Sequence, residues 1–285
     1  MKVVFYVNHN GRAKVICDAV QAGLARHGQA VAIRNSAEYR EPEADIAIFY
    51  GLWGPLREIQ QAYPAAGRTS VLVDLGYWGR IEGGKLAGYH KIVVNGRHAT
   101  DYFQRIKHPP GRFRHFGIRP QPFRRGGSHI LLCGMSSKAA WVYGLEAQEW
   151  ERAAVATLRQ HTVREIRYRP KPSWKEAQPI DGASWSPAGR DLMIGERSFA
   201  DCWAVVTHHG NTALDALIAG VPVFCEDGIA SSLCLRDLAD IETPIYPSEA
   251  ARDQLLFDAA YTQFSVAEIA DGTVWAHLRE EGLVP

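Results

Sequence analysis

Residues 202–228, CWAVVTHHGNTALDALIAGVPVFCEDG, restrict the fold more than any other stretch of the chain. Trp203 to Val206 make an apolar run suited to a strand inside a sheet. A polar turn follows, then a short helix stopped by Gly220, and Pro222 restarts a second apolar run. Two buried strands joined by a helix form the unit from which parallel sheets covered on both faces are built. Open sheets of that kind take ligands at the carboxyl ends of their strands. His208, His209, Gly210, Asn211 and Thr212 therefore stand where a strand feeds a helix, beside amides and a dipole that favour an anion. An ordinary turn with no ligand has the same pattern, so the rest of the chain has to decide its use.

The alternation extends through most of the sequence. Strands are predicted at 2–8, 30–34, 45–50, 70–74 and 91–95, with helices at 12–27, stopped by Gly28, and from Pro55 to about Tyr63. A segment rich in Pro, Gly and Arg spans 107–128, after which the pattern restarts: strand 128–133, loop 134–144, helix 146–160, and strands at 164–168, 203–207 and 221–225. The chain has 285 residues, which suits two domains. The expected class is α/β, with two Rossmann-like domains facing across a cleft and a helical C-terminal tail. The expected boundaries are 1–120, 121–265 and 266–285. Ser265 and Glu268 match a capping box, and an apolar stripe through Phe257, Tyr261, Phe264, Ile269, Trp275 and Leu278 suits a tail packing back on the first domain.

No apolar run reaches the roughly 20 residues that span a bilayer, and the start reads as a core strand of a cytoplasmic protein. Five cysteines without CxxC spacing are expected to be free thiols, with no metal site. From Tyr102 to Leu145 there is no acid, while Arg105, Lys107, Arg112, Arg114, Arg119, Arg124, Arg125 and Lys138 are basic. Phe103, Phe113, Phe116 and Phe123 interleave with them. The segment reads either as a solvated surface or as a field for a polyanion, with aromatics offering stacking faces.

Three loops are expected at the carboxyl ends of the second sheet. Gly134, Ser136, Ser137 and Lys138 suit a phosphate or ribose. Arg169 and Lys171, stiffened by Pro170 and Pro172, suit a diphosphate. The third is the His208–Thr212 turn, and beyond it Glu226 and Asp227 offer carboxylates to hydroxyl groups or cap a turn. In the first half, His9 follows the first strand and is a candidate proton acceptor. Asp74 is the second candidate base, or the partner that orients His9. Gly79 to Leu86 nearly spells a P-loop, but Leu86 replaces the required hydroxyl; no G-x-G-x-x-G, D-x-D or G-x-S-x-G occurs.

With these residues, the segment TxHHGNTALDALxAGVPVFxEDG and the Arg-Pro-Lys-Pro loop, the chain resembles the GT-B class of glycosyltransferases and their relatives. The resemblance implies a nucleotide-sugar donor, UDP-linked in the first instance, used as a co-substrate without a bound cofactor or metal. It implies donor contacts from His208, His209, Gly210, Asn211 and Thr212 to the diphosphate, and from Glu226 and Asp227 to hydroxyls. The first half matches in architecture only. The overall pattern is also similar to bacteriophage proteins that glycosylate DNA bases. The leading expectation is therefore sugar transfer to a hydroxymethylated pyrimidine in double-stranded DNA, without a membrane or an obligate protein partner. Asn8, Asn10, Arg12, Trp53, Arg97, Arg112, Arg114 and Arg119 would then face the acceptor. The alternatives are a glycan-directed transferase, a sugar-nucleotide epimerase, and a non-catalytic nucleotide- or DNA-binding module.

Overall fold

Val3, Val4, Phe5 and Tyr6 are all but inaccessible to solvent, as expected for a strand covered on both faces. They form β1 (Val3–Val7) in the computed structural model, which describes residues 1–8, 10–81, 88–187 and 199–285. Asn10 then caps α1 (Gly11–Arg26), its side chain accepting from the Arg12 amide at 2.9 Å. β2 (Val31–Asn35) and β3 (Ile46–Tyr50) flank β1 in parallel. Pro55 opens α2 (Pro55–Ala65), and β4 (Thr69–Leu75) adds in parallel to β3.

The next strand departs from the all-parallel expectation. β5 (Tyr89–Val94) runs antiparallel to β4. The chain folds straight back: the Tyr89 amide donates to the Gly79 carbonyl at 2.9 Å and the Gly76 amide to the Tyr89 carbonyl at 3.0 Å. Such a hairpin-like return needs no crossover, and without a crossover a neighbouring strand must be antiparallel. Gly88 has to be glycine there, because a Cβ would stand 2.0 Å from the Gly79 carbonyl oxygen.

The chain then builds a second unit. It contains α3 (Gly111–His115), β6 (His129–Cys133), α4 (Ser137–Tyr143), α5 (Glu149–His161), β7 (Glu165–Arg169), β8 (Ser184–Trp185), β9 (Cys202–Thr207), α6 (Asn211–Ile218), β10 (Val223–Cys225) and α7 (Glu249–Ala260). Its five strands are parallel, in the order β10-β9-β6-β7-β8. Where a loop was expected at 134–144, Ser136 caps a short helix, accepting from the Ala139 amide at 3.2 Å, and Gly144 ends it in the left-handed region. One face of the sheet carries Ile130, Leu132, Tyr168, Val206 and Phe224, packed against Trp150, Ala154, Val155 and Leu158 of α5.

After α7 a short strand precedes the helical tail expected from 266 onward. This part of the chain supplies β11 (Gln263–Ser265), antiparallel to β5 in the first sheet, then α8 (Val266–Ala270) and α9 (Thr273–Glu280). The first sheet has the order β11-β5-β4-β3-β1-β2. The capping box of Ser265 and Glu268 is formed. Buried Gln263 takes the Tyr77 amide on its Oε1 at 2.6 Å, so a polar side chain from the tail pins the turn after β4.

Two compact units result, residues 1–106 with 259–285, and residues 107–258. The breaks thus fall at other points than 120/121 and 265/266. The Pro- and Arg-rich segment is tied to α7 and the turn before it. The His108 amide donates to Asp258 at 2.8 Å, Phe113 meets Phe257 at 5.9 Å between ring centres, and Phe123 meets Tyr246 at 6.0 Å. That packing corrects the reading of its aromatics as stacking faces: Phe103 and Phe113 are buried, and Phe116 and Phe123 are half-buried. All five cysteines are free, four of them buried. Among the described residues no helix is long and apolar enough to cross a membrane.

A Cβ on Gly23 of α1 would stand 2.0 Å from the backbone oxygen of Ile269 on α8. Gly23→Ala is expected to cost about 1–3 kcal/mol as an overpacking change. It should lower the urea midpoint of the first unit's transition; an unchanged midpoint would show that the two helices separate freely.

Candidate functional site

The carboxyl ends of β6, β9 and β10 gather the second unit's polar residues. β9 delivers the chain to His208, which is buried, and α6 begins three residues later behind extended Gly210. Gly210 lies close to the strand end, since a Cβ there would be 3.2 Å from Thr207 Oγ1. After β10, the Asp227 amide donates to the His208 carbonyl at 2.8 Å and locks the two turns together. Gly228 takes a φ of +96°, and its amide donates to Asp227 Oδ1 at 2.6 Å. Cys225 Sγ donates to the Asp227 carbonyl at 2.7 Å from below.

Aromatic rings enclose the first histidine. Tyr143, the last residue of α4, lies 4.4 Å from the His208 ring and 4.6 Å from the His209 ring, and its hydroxyl donates to Asp227 Oδ2 at 2.8 Å. Trp150 of α5 lies 5.5 Å from His208 and donates from Nε1 to Glu226 Oε1 at 2.5 Å. His208 Nε2 stands 3.5 Å from Glu226 Oε2. Tyr143 and Trp150 were not among the residues expected here. Their helices begin after β6, and nothing in their spacing says that they reach the end of β9.

The other two loops adjoin this cluster in the sheet. Cys133 lies in register with Arg169 on one side and Thr207 on the other, so their side chains share a face. Burial pushes the Cys133 thiol up to about 12, while the Arg169 charge and a bond to the Thr212 hydroxyl pull the other way. Arg169 is half-buried, and among the described residues its Nε and Nη1 are enclosed without a hydrogen-bond partner. Lys171 is exposed in a turn closed by the Trp174 amide on the Lys171 carbonyl at 2.9 Å. Ser136 spends its hydroxyl on the α4 cap, while Ser137 and Lys138 are exposed on the first turn. Gly134 has no room for a side chain: a Cβ would be 2.9 Å from Tyr168 Cε2 and 3.0 Å from Glu151 Oε1.

Glu151 supports that loop from inside. It is fully buried, accepts the Met135 amide on Oε1 at 2.7 Å, and leaves Oε2 without a partner among the described residues. Burial holds its carboxyl above the usual carboxylate range.

In the first unit the carboxyl edge of the sheet brings together Asn8, Asn10, Arg12, Tyr50 and Asp74. Asn8 Oδ1 accepts the Asn10 amide at 3.0 Å, so both asparagines build the turn into α1. Arg12 bonds the buried Tyr50 hydroxyl, whose pKa is raised by burial and by the Asp74 charge and lowered by Arg12. Asp74 is half-buried, with Oδ1 accepting the Leu75 amide at 2.8 Å. Because β5 is antiparallel, it brings His90 to this edge and carries Arg97 to the opposite one, where Asn95 meets Ser70. Arg97 therefore does not join Asp74, contrary to the expectation for strands that all end together. His90 does, buried, 6.0 Å from the Tyr50 ring, with Nδ1 3.0 Å from the Gly88 carbonyl. Burial lowers its pKa, so the ring is neutral. Trp53 is largely exposed beyond β3. Arg112, Arg114 and Arg119 belong to the second unit, Arg112 half-buried and the other two exposed. His9 and residues 82–86 of the glycine-lysine run lie outside the described residues.

With this geometry the chain can be set beside solved structures. It shares its fold with two solved transferase structures. Both are of KpsC from Thermosulfurimonas dismutans. The beta Kdo 2,4 transferase is 12% identical, with a TM-score of 0.55 over 92% of this chain and 91% of that one. The beta Kdo 2,7 transferase is 12% identical, with a TM-score of 0.50 over 97% of this chain and 99% of that one. No family model and no curated protein matches the sequence. The α/β class with two largely parallel sheets is thus the GT-B-like fold that the motifs led us to expect.

Glu151 yields a pH prediction. A carboxyl whose folded pKa is raised stabilises the fold below its unfolded pKa, about 4.3, and that contribution is lost as pH rises through the folded value. Glu151→Gln stays neutral, so its melting temperature relative to the parent should rise between pH 4 and pH 8. A difference that stays flat with pH would mean that Glu151 is ionised in the folded protein without penalty.

Proposed function

We propose that this chain is a glycosyltransferase that moves a sugar from a nucleotide-sugar donor to a hydroxyl acceptor. One observation carries the reading: the second unit joins a histidine-bearing strand-to-helix turn, two carboxylates after the next strand and the half-buried Arg169 at adjoining strand ends. Amides at the start of α6, His209 and Arg169 suit the phosphates, whose charge grows as the nucleotide departs. Glu226 and Asp227 suit hydroxyls of ribose or sugar. Gly134, Ser137 and Lys138 suit the remaining phosphate or ribose contacts, with Lys171 beside them. The shared fold with the two Kdo transferases supports the class.

In the first unit Asp74 is the residue we assign to accept the acceptor's proton; its charge acts on the Tyr50 hydroxyl that Arg12 bonds. His9 shares that role in our reading. For the acceptor, the exposed Arg114, Arg119 and Arg125 with Lys107 favour a polyanion, and hydroxymethylated duplex DNA is the one we put to the test.

Nucleotide binding decides the first half. Uridine and cytidine diphosphates and their sugar conjugates are expected to raise the melting temperature, with about 2.7 kcal/mol of added stability at 100 times the dissociation constant. Arg169→Met should weaken binding about 10- to 100-fold, the range for a charged hydrogen bond. Absence of any shift across the panel would sink the donor site. Asp74→Asn is expected to reduce turnover about 100-fold or more while leaving nucleotide affinity unchanged. Retention on duplex DNA should fall steeply with salt; no retention at low salt removes DNA as the acceptor.

A further inference from the structure

Strand β10 is paired on both sides. Val205, Val206 and Thr207 of β9 flank it on one side. On the other, Phe224 forms a parallel bridge with Leu235, and the Cys225 amide donates to the Leu235 carbonyl at 2.9 Å. Between those contacts the chain leaves through Glu226 and Asp227, turns at Gly228 and returns along the short 3-10 helix Ser231–Leu233. The bridge sets Cys234 level with Val223, and Val223 and Cys225 lie on one face of their strand. Cys225 and Cys234 therefore come together, and their thiols hydrogen-bond to each other. Each thiol also reaches a backbone oxygen: Cys225 Sγ lies 2.7 Å from the Asp227 carbonyl and Cys234 Sγ 3.0 Å from that of Ala230. A thiol has one hydrogen, so two hydrogens serve these three contacts. The Cys225 hydrogen supports the site, because the Asp227 amide in turn bonds the His208 carbonyl at 2.8 Å. Cys225 is buried, whereas Cys234 is half-buried and is the member that a small molecule reaches first.

We propose that Cys225 and Cys234 are an oxidisable pair whose disulfide takes the thiol hydrogen from the Asp227 carbonyl, loosens the Asp227 turn and so weakens nucleotide binding. The oxidant is a hydroperoxide, here written as hydrogen peroxide. The Cys234 thiolate attacks one peroxide oxygen, the O–O bond breaks, and Cys234 becomes a sulfenic acid while the departing hydroxide takes up the thiol's proton as water. The Cys225 sulfur then attacks the Cys234 sulfur. The S–O bond breaks, the S–S bond forms, and the oxygen leaves with the Cys225 hydrogen as a second water. Two thiols and one peroxide thus give one disulfide and two waters, the sulfurs losing the two electrons that the peroxide gains. The bond from Cys225 and burial hold the Cys234 thiol well above its ordinary range, so its thiolate is scarce at neutral pH and the first step is slow. Once formed, the disulfide closes residues 225–234, the segment with Glu226 and Asp227, into a ring. The effect on nucleotides rests on the donor reading above; the disulfide and the loosened turn do not.

The test treats the full chain with hydrogen peroxide, blocks the remaining thiols and maps the products by peptide mass spectrometry before and after dithiothreitol. A Cys225–Cys234 linkage that dithiothreitol reverses is expected. Sulfinic acid on Cys234 with Cys225 still a thiol, or linkage of either residue to another cysteine, overturns the proposal. Hydrogen exchange then reads the turn: the Asp227 amide should exchange about 10-fold faster in the oxidised chain, the range for one lost hydrogen bond. Exchange at the same rate in both forms overturns the proposal even where the disulfide is present. Uridine diphosphate and cytidine diphosphate are titrated last, with binding expected to weaken about 10-fold on oxidation and to return with dithiothreitol. Cys234→Ser should bind as the reduced parent does and keep that affinity in peroxide; a Cys234→Ser chain that loses affinity as the parent does overturns the assignment to this pair. If neither nucleotide binds the reduced chain while the disulfide forms and speeds Asp227 exchange, the donor reading falls and the thiol switch stands.

Discussion

A strand covered on both faces has nowhere to put a polar side chain except its ends, and this constraint organises both units. All five residues of β3 and all five of β6 are buried. Along them every side chain packs, so hydrogen-bonding and charged groups are driven to the loops. In the second unit, parallel pairing brings the ends of β6, β9 and β10 to one edge. Histidines and carboxylates meet there, with Arg169 at the end of neighbouring β7.

That constraint explains how much could be read in advance. The Trp203–Asp227 stretch announces its strand, turn, helix and strand, because apolar runs bounded by Gly220 and Pro222 allow little else. Four strands of the second sheet (β6, β7, β9 and β10) and the first four of the other follow the same logic, while the exposed two-residue β8 has no apolar run to announce it. Direction is another matter. Alternation of apolar runs says that β5 exists and not which way it runs, so Arg97 was expected beside Asp74 and His90 was overlooked. A short polar loop and a short capped helix look alike in residues 134–144 until Ser136 is seen to bond Ala139. Tyr143 and Trp150 reach His208 through the turn between α4 and α5, where Gly144 and Gln148 both take positive φ. For Gln148 no sequence signal marks that choice.

The buried polar groups divide by what they do. Gln263 and Glu151 face backbone amides and hold a turn and a loop in place, Gln263 in the first unit and Glu151 in the second. Tyr50 and His90 lie in the field of Asp74, whose charge raises the pKa of each, while burial raises the Tyr50 hydroxyl and lowers the His90 ring. His208 does something different. Its ring nitrogens face side chains and not a backbone group, Nε2 at 3.5 Å from Glu226 and Nδ1 at 3.0 Å from His209.

The Gln263–Ser265 strand has a consequence for how the protein is made. It closes the outer edge of the first sheet, yet it is synthesised after the whole 107–258 unit. Until it leaves the ribosome, β5 exposes a row of unpaired backbone groups, α1 lacks the Ile269 carbonyl that nests against Gly23, and the turn after β4 lacks its glutamine. The amino-terminal half thus waits, sticky-edged, for its last 27 residues, the interval in which a nascent chain is open to edge-to-edge pairing and to chaperones.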